Sequence, residues 1–195
     1  DCVSYPFLSE LADAFDHIIV STGGATDDEI SKAVKAIKNK KKKVTLLHCV
    51  SIYPNPLLSC NLARMNHLRK LTPSVGWSDH THVPTDGIKA SKVAAMLGAD
   101  FIERHFTILP HEESKDGPVS ITPIQLKELS KFVRFSKDEQ RKIIEREIPE
   151  WNTFIGSSDR IMTHQEALTM DYARGRFGSK VGEGKWIFNW ENTSL

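Results

Sequence analysis

Short apolar runs alternate with amphipathic segments along the first two thirds of the chain. Each apolar run has the length of a β-strand and ends in polar residues, and each is followed by a segment whose apolar residues recur at helical spacing. The predicted strands lie at residues 17–20, at residues 44–47 and at the two ends of the segment 74–108. Because strands that alternate with helices form parallel sheets, four strand–helix units between His17 and Phe135 predict an α/β fold.

Several helix boundaries are marked by their own residues. Thr26 stands three residues before Glu29, which is the pattern of a capping box at the start of a helix. Gly98 follows an apolar series and is placed as a C-cap, since glycine adopts left-handed backbone angles at low cost. The predicted helices are residues 7–15, a segment that Thr26 begins, residues 61–71, residues 86–97 and a segment that opens at Thr122-Pro123.

Polar side chains lie at the carboxyl ends of both predicted strands in the segment 74–108. Successive side chains of a strand point to opposite faces, so Ser78 and His80 share one face, and Glu103 and His105 share one face of the next strand. The carboxyl ends of parallel strands lie at one edge of a sheet, where the chemistry of α/β proteins gathers. The sequence therefore predicts that two imidazoles and a carboxylate converge.

These residues also have a structural interpretation. A histidine in a strand is more often a packed core residue than a metal ligand, and it is the placement of His80 and His105 at adjacent strand ends that argues for a site. His48 and His82 are left as structural residues, although nearby sites often recruit such groups. Glu103 lies in an otherwise apolar strand, where a carboxylate is costly unless it is paired or ligated.

Asp79 and Arg104 alternate to the other face of the same two strands. Opposite charges on neighbouring strands often form cross-strand pairs, so we expect an ion pair between these side chains. The distance between the guanidinium and the carboxylate tests this hypothesis.

Composition narrows the functional classes. The 195 residues include 26 basic and 25 acidic side chains, and the formal net charge of +1 provides no field that favours nucleic acid or an anionic membrane. The apolar runs are much shorter than a membrane-spanning helix needs, and no signal peptide is visible. Three cysteines without metal-type spacing, Cys2, Cys49 and Cys60, predict a reduced, cytoplasmic setting.

Four motifs at predicted strand ends together resemble the sialic acid synthase family. Their order and spacing fit the family, and the segment from Asp116 to Pro123 resembles the family's loop before its last barrel helix. The match covers roughly residues 1–135. The motifs are Ser21-Thr22-Gly23, Leu46-Leu47-His48-Cys49-Val50-Ser51-Ile52-Tyr53-Pro54, Gly76-Trp77-Ser78-Asp79-His80-Thr81 and Ile102-Glu103-Arg104-His105-Phe106-Thr107.

The resemblance implies the second half of a (β/α)₈ TIM barrel and an N-acylneuraminate synthase-like transferase. Such an enzyme condenses phosphoenolpyruvate with an N-acylated amino sugar of the N-acetylmannosamine type, giving a nonulosonic acid and phosphate. It uses a divalent cation, Mn²⁺ or Mg²⁺, held by histidines that correspond to His80 and His105. The catalytic positions match Glu103 and His105. The substrate-binding positions match Ser21, Ser51, Tyr53, Ser78 and Asp1.

Elementary chemistry agrees with this assignment. Joining the methylene carbon of an enol phosphate to an aldehyde requires a polarised carbonyl, which a Lewis-acidic metal provides. Neutral imidazoles suit manganese, and serine hydroxyls donate to phosphate or carboxylate oxygens. Without the family pattern, the three serines would be interpreted as turn formers and Tyr53 as a packing residue.

The resemblance divides the chain into a half-barrel domain of four strand–helix units, residues 1–135, and an extension of unpredicted fold, residues 136–195. By the strand count, the chain starts after the family's fourth strand. Four parallel strands leave two open edges. We therefore expect a partner, either a complementary amino-terminal half or a second copy of the chain. A fragment of a longer enzyme is an equal alternative, and a chain that works alone would bind metal or ligand without turnover.

Two other functions remain open from the sequence. The same scaffold carries many reactions, so another metal-dependent aldolase or an isomerase is an alternative. A non-catalytic half-barrel that binds a ligand or partner is the third possibility. Phosphate release that depends on phosphoenolpyruvate separates the first function from the other two.

Overall fold

The structure, a computed structural model, describes residues 2–175, 178–180 and 186–188. Its main sheet has five parallel strands that pair in chain order, and helices lie between them, which gives half of a (β/α)₈ barrel and confirms the predicted α/β class. The strands are β1 (His17–Ser21), β2 (Lys43–Cys49), β3 (Ser74–Asp79), β4 (Phe101–Phe106) and β5 (Ser120–Ile121). The helices up to β5 are α1 (Tyr5–Ala14), α2 (Asp27–Asn39), α3 (Arg64–Leu68), α4 (Val83–Asp86) and α5 (Lys89–Met96).

The two faces of the sheet differ in burial. In β1 the side chains alternate, with Ile18 and Val20 buried under the helices and Ile19 47% exposed on the other face. The helix-covered face continues through Leu46 and Trp77, both fully buried. The other face corresponds to the inside of a barrel, and we call it the inner face.

Capping residues set several helix ends as the sequence predicted. Thr26 and Glu29 form a complete capping box at the start of α2, with the Glu29 carboxylate accepting from the Thr26 backbone N–H at 2.7 Å. Gly98 follows α5 with a φ of 93°, a conformation that favours glycine. Thr122 and Gln125 form a second capping box that was not predicted.

Two predicted helices are shorter in the structure. The segment 86–97 is interrupted at Gly87, whose φ of 58° ends α4 before α5 begins. Of the predicted segment 61–71, only Arg64–Leu68 is α-helical. In both cases apolar spacing continues through residues whose backbone turns, so periodicity alone overestimated the helix length.

The prediction of four strands was wrong by one. Ser120 and Ile121, placed by the sequence in a polar loop, pair with His105 and Phe106 as the short strand β5. Two residues carry no detectable period-two pattern, so only the backbone pairing with β4 defines this strand.

Packing continues beyond residue 135. Ile144, Ile148 and Phe154 are buried in the same apolar cluster as the sheet and its helices. Within the described residues, no helix has both the length and the apolar character that a bilayer crossing demands. The remaining elements are α6 (Pro123–Phe132), α7 (Lys137–Glu147), α8 (His164–Gly175) and the antiparallel strands β6 (Gly178–Lys180) and β7 (Trp186–Phe188).

Candidate active site

A polar layer crosses the inner face near the carboxyl ends of four strands. Cys49 and Ser78 are partners in the β2–β3 register, and Ser78 and Glu103 are partners in the β3–β4 register. The Ser78 hydroxyl donates to the Glu103 carboxylate at 2.6 Å, and the hydroxyls of Ser21 and Ser78 both lie near enough to the Cys49 thiol to favour a lower pKa of that group. The predicted serine and glutamate positions of β1, β3 and β4 are therefore brought together.

The two predicted histidines lie one step beyond this layer, on the same face. The ring centroids of His80 and His105 are 5.2 Å apart at an interplanar angle of 68°. The Tyr53 ring lies 4.1 Å from the His80 centroid and 6.1 Å from that of His105. The predicted convergence of the two imidazoles is confirmed as geometry, while their roles remain predictions.

His80 is held as a neutral imidazole. It is only 4% exposed, and this burial, followed by the nearby His105, lowers its pKa to about 4. Its Nδ1 atom lies 3.6 Å from the sulfur of Cys49. Burial also raises the pKa of the Cys49 thiol to about 11, so the sulfur stays protonated at neutral pH.

Tyr53 borders the open side of the site. It is 55% exposed and follows β2 in the loop that leads to Pro54. Burial of its hydroxyl end, with smaller effects from Cys49, Glu103 and Asp116, raises its pKa to about 12. Tyr53 therefore remains a hydroxyl donor at neutral pH.

The loop after β1 approaches the end of β2 closely because it contains glycine. A Cβ atom at Gly23 would meet the Ser51 hydroxyl at 2.5 Å and the Cys49 sulfur at 2.8 Å. Gly24, with a φ of 65°, turns the chain away again. Ser51 is thus placed beside the loop backbone at the end of the polar layer.

Two residues at this site had no predicted role. Asp116 places a carboxylate oxygen 3.6 Å from Nδ1 of His105, although it lies in a loop where no periodicity indicates a direction. Cys49 was expected only to pack in its strand, but it also contacts the site. Its place could have been inferred from the sequence, because alternate side chains share a face and Cys49 is two residues before Ser51, a predicted site residue.

The donor set agrees with part of a metal shell. His80 and His105 offer nitrogen donors from adjacent strands, with His80 unprotonated. Among the described residues, no group of three or more histidine, cysteine, aspartate or glutamate side chains is arranged to hold a metal ion. Two imidazoles would therefore hold a cation only together with substrate oxygens, water or groups from another polypeptide.

Other predicted residues lie elsewhere. Asp1 is outside the described residues. His48 points to the helix-covered face and bonds to the Cys60 carbonyl, and His82 bonds to the Thr85 hydroxyl at 2.9 Å, so neither joins the cluster. The predicted Asp79–Arg104 ion pair is confirmed on the face behind the site, at 2.5 Å.

Comparison with known proteins agrees with this fold and motif pattern. The NeuB family profile matches residues 1–143. The N,N'-diacetyllegionaminic acid synthase of Campylobacter jejuni is 38% identical over 138 residues, which make up 69% of this chain and 40% of that protein. The N-acetylneuraminate-9-phosphate synthase of Drosophila melanogaster is 32% identical over 67% of this chain and 35% of its own length. The chain therefore spans about half or less of these relatives.

Solved structures show the same likeness. The spore coat polysaccharide biosynthesis protein SpsE of Bacillus subtilis superposes with a TM-score of 0.70 at 29% identity, covering 85% of this chain and 46% of that one. The N-acetylneuraminic acid synthetase of Leptospira borgpetersenii, solved in complex with citrate, gives a TM-score of 0.64 at 29% identity, covering 90% of this chain and 56% of that one. With the profile match over most of the sequence, these likenesses show that the chain belongs to the NeuB family.

Proposed function

We propose that this chain forms one half of the active site of a nonulosonic acid synthase. The reaction joins phosphoenolpyruvate to the open aldehyde form of an N-acylated amino sugar and releases phosphate. The observation that carries the proposal is the pair of imidazoles 5.2 Å apart beside the Ser78–Glu103 pair. The names of relatives that make legionaminic and neuraminic acids support the same class of product.

His80 and His105 are the residues that would hold the divalent cation, Mn²⁺ or Mg²⁺. A cation bound there supplies Lewis acidity that polarises the sugar aldehyde. The low pKa of His80 keeps its lone pair available at neutral pH. Asp116, beside His105, orients that ring and adds negative charge near the cation.

Glu103 acts on the sugar. Its carboxylate accepts from Ser78 and faces the open side of the polar layer, where it binds a sugar hydroxyl or moves a proton as the aldehyde oxygen becomes a hydroxyl. The new C–C bond forms between the methylene carbon of phosphoenolpyruvate and the aldehyde carbon. Water supplies the oxygen at the former enol carbon, and the C–O bond to phosphate breaks.

The hydroxyl groups bind the anionic substrate. Ser21 and Ser51 present donors on either side of the Gly23–Gly24 turn, whose backbone N–H groups add to them. Tyr53, protonated at neutral pH, donates from the open side. Asp1 keeps its proposed place in the sugar site by family correspondence alone.

Metal affinity is the first test, because it needs no second polypeptide. Binding of Mn²⁺ to the chain is followed by electron paramagnetic resonance in wild type, His80→Ala and His105→Ala. We expect each variant to weaken binding by about 100-fold or more, since even changes to residues behind metal ligands often cost 10- to 100-fold. His17→Ala is the matched control, because this imidazole lies on the inner face at the opposite end of β1 and bonds to Thr45 at 2.8 Å.

Turnover is the second test. The chain is assembled with the amino-terminal half of the Bacillus subtilis relative, and phosphate release is measured with phosphoenolpyruvate and N-acetylmannosamine. We expect Glu103→Gln to lower kcat by about 10²- to 10⁴-fold, as loss of a positioned acid–base group does, while Mn²⁺ affinity is retained. Metal binding that persists in both histidine variants contradicts the proposed site. Sugar cleavage or isomerisation without phosphoenolpyruvate identifies a different reaction on this scaffold.

A further inference from the structure

Two pairs of side chains link β3 to β4 just before His80 and His105, one pair on each face of the sheet. Ser78 and Glu103 are register partners on the inner face, and Asp79 and Arg104 are register partners on the face behind it. The outer pair has an Nη1–Oδ1 distance of 2.5 Å, and both side chains are almost completely buried. His80 and His105 are the next residues along their strands.

Asp79 is a junction between three elements. Besides Arg104 from β4, its carboxylate accepts from the Ser91 hydroxyl of α5 at 2.5 Å. It also accepts from the backbone N–H of Thr81 at 2.9 Å and from the Thr81 hydroxyl at 2.7 Å. A buried carboxylate with this many donors is both satisfied and fixed in position.

These contacts hold the backbone on each side of His80. Thr81 is fixed by Asp79 and forms a parallel bridge with Asn55. The Asn55 N–H donates to the His80 carbonyl at 2.8 Å. The two neighbours and the carbonyl of His80 are therefore all bonded. Among the described residues, the one hydrogen bond of its ring nitrogens is the long contact of Nδ1 with the Cys49 sulfur.

Arg104 fixes the other strand in the same way. Its Nη1 atom donates to the Thr81 hydroxyl at 3.0 Å, and its Nη2 atom donates to the Gly87 carbonyl at 3.4 Å. Its Nε atom is buried without a hydrogen-bond partner among the described residues. The guanidinium of Arg104 therefore binds residues at and after the end of β3, and His105 is the next residue in β4.

We propose that the buried Asp79–Arg104 pair is a positioning device that sets the distance between the imidazoles of His80 and His105. This inference rests on the proposed metal site and adds the residues that determine its geometry. A pair that served only stability would affect folding without changing the affinity of the folded protein for a cation.

The test measures Mn²⁺ affinity of the folded chain by electron paramagnetic resonance and the visible absorption of bound Co²⁺. The variants are Asp79→Asn, Arg104→Gln and Arg104→Lys. We expect the first two to weaken Mn²⁺ binding by about 10- to 100-fold and to shift the Co²⁺ bands, and Arg104→Lys to recover part of the affinity. Lys92→Gln on α5 is the control, because it removes the ion pairs of Lys92 with Glu128 of α6 and Glu147 of α7 and leaves the contacts of Asp79 and Arg104 in place.

The outcomes separate this inference from the proposed function. Affinities of Asp79→Asn and Arg104→Gln within twofold of wild type overturn the positioning role while the metal site stands. If neither variant folds, Ser91→Ala and Arg104→Lys decide, since each keeps the buried charges; unchanged affinity in both overturns the role. Binding that persists in both His80→Ala and His105→Ala overturns the metal site and the inference with it.

Discussion

His48 and His80 come from neighbouring strands but serve opposite faces of the sheet. The ring of His48 packs on Trp77 at a centroid distance of 4.9 Å, and its Nε2–H donates to the Cys60 carbonyl at 2.8 Å. Its pKa is lowered to about 3, mainly by burial and next by Arg160. His48 is therefore a neutral core residue, while His80 is a neutral residue beside an open site.

Burial of both histidines makes stability depend on pH. Their folded pKa values, about 3 for His48 and about 4 for His80, lie below the unfolded value of about 6.5. As the pH falls below about 6.5, the unfolded chain takes up protons that the folded chain does not, so the free energy of unfolding decreases. Each group contributes about 1.2 kcal/mol between pH 6 and 5.

The prediction is that His48→Gln reduces this pH dependence by about 1.2 kcal/mol between pH 6 and 5. Urea unfolding of wild type and variant at pH 5.0, 5.5 and 6.0 measures the slope. Asn152→Gln, at an exposed residue without a titratable group, is the control and should leave the slope unchanged. Equal slopes in wild type and His48→Gln would show that His48 titrates alike in the folded and unfolded chains.

Strand parity explains which site residues were predictable. It correctly joined Ser78 with Glu103 and His80 with His105, and it paired Asp79 with Arg104 behind them. The alternation of side chains along a strand identifies residues that share a face, but it does not say which face the helices cover. The sequence therefore could not show whether His48 is a core residue or a site residue. Asp116 lies in a loop, where direction depends on tertiary packing.

At the scale of elements, local backbone chemistry decides what periodicity does not. Capping boxes gave the start of α2 directly, because their hydrogen bonds form between residues three apart. The helix break at Gly87 depends on a single turn of the backbone. The strand β5 depends on its pairing with β4. Neither feature alters the spacing of apolar residues in the sequence, so that spacing predicts neither.

Helix α7 shows how a strongly charged segment becomes part of the core. Its Lys137 donates to the Ala95 carbonyl at 2.5 Å, and Gln140 donates to the Phe135 carbonyl at 3.0 Å. Ile144 is fully buried against the apolar cluster. A few inward residues therefore suffice to attach this helix to α5, with which it makes close contact.

Ile144→Ala is predicted to destabilise the whole domain. Removing this side chain leaves a cavity, for which substitutions of isoleucine or leucine by alanine cost about 2–5 kcal/mol. Lys142→Ala, at an exposed position of the same helix, should cost less than about 0.5 kcal/mol. Urea unfolding of both variants measures the difference, and similar losses would mean that α7 is not packed as described.

At the scale of the molecule, the inner face is the unusual feature. Parallel sheets are normally covered on both faces, yet Ile19 is 47% and Phe101 38% exposed on this one. β1 and β5 also end the sheet as open edges. The half-barrel was predictable because four motifs mark successive strand ends, whereas the segment after residue 135 lacks such motifs and is attached by side-chain packing.

The open inner face and the two edges predict association with an amino-terminal half-barrel. A polypeptide that supplies the remaining strands of the barrel would pair with β1 and β5 and cover Ile19 and Phe101. Co-expression with the amino-terminal half of the Bacillus subtilis relative should give a one-to-one complex in analytical ultracentrifugation. Ile19→Lys should weaken it by burying an unpaired charge, while Ile161→Lys, 89% exposed on the segment before α8, should not.

Self-association is the competing outcome. A second copy presents the same face and edges, so the chain alone would then form dimers, and Ile19→Lys would convert them to monomers. A chain that stays monomeric alone and in the mixture would contradict the predicted partner in both forms. The difference between the two outcomes matters for catalysis, because Glu103 and Tyr53 are exposed on the side that an amino-terminal half-barrel would cover. Closure removes water from the site and strengthens each electrostatic contact there, so turnover should appear only in the mixture that assembles.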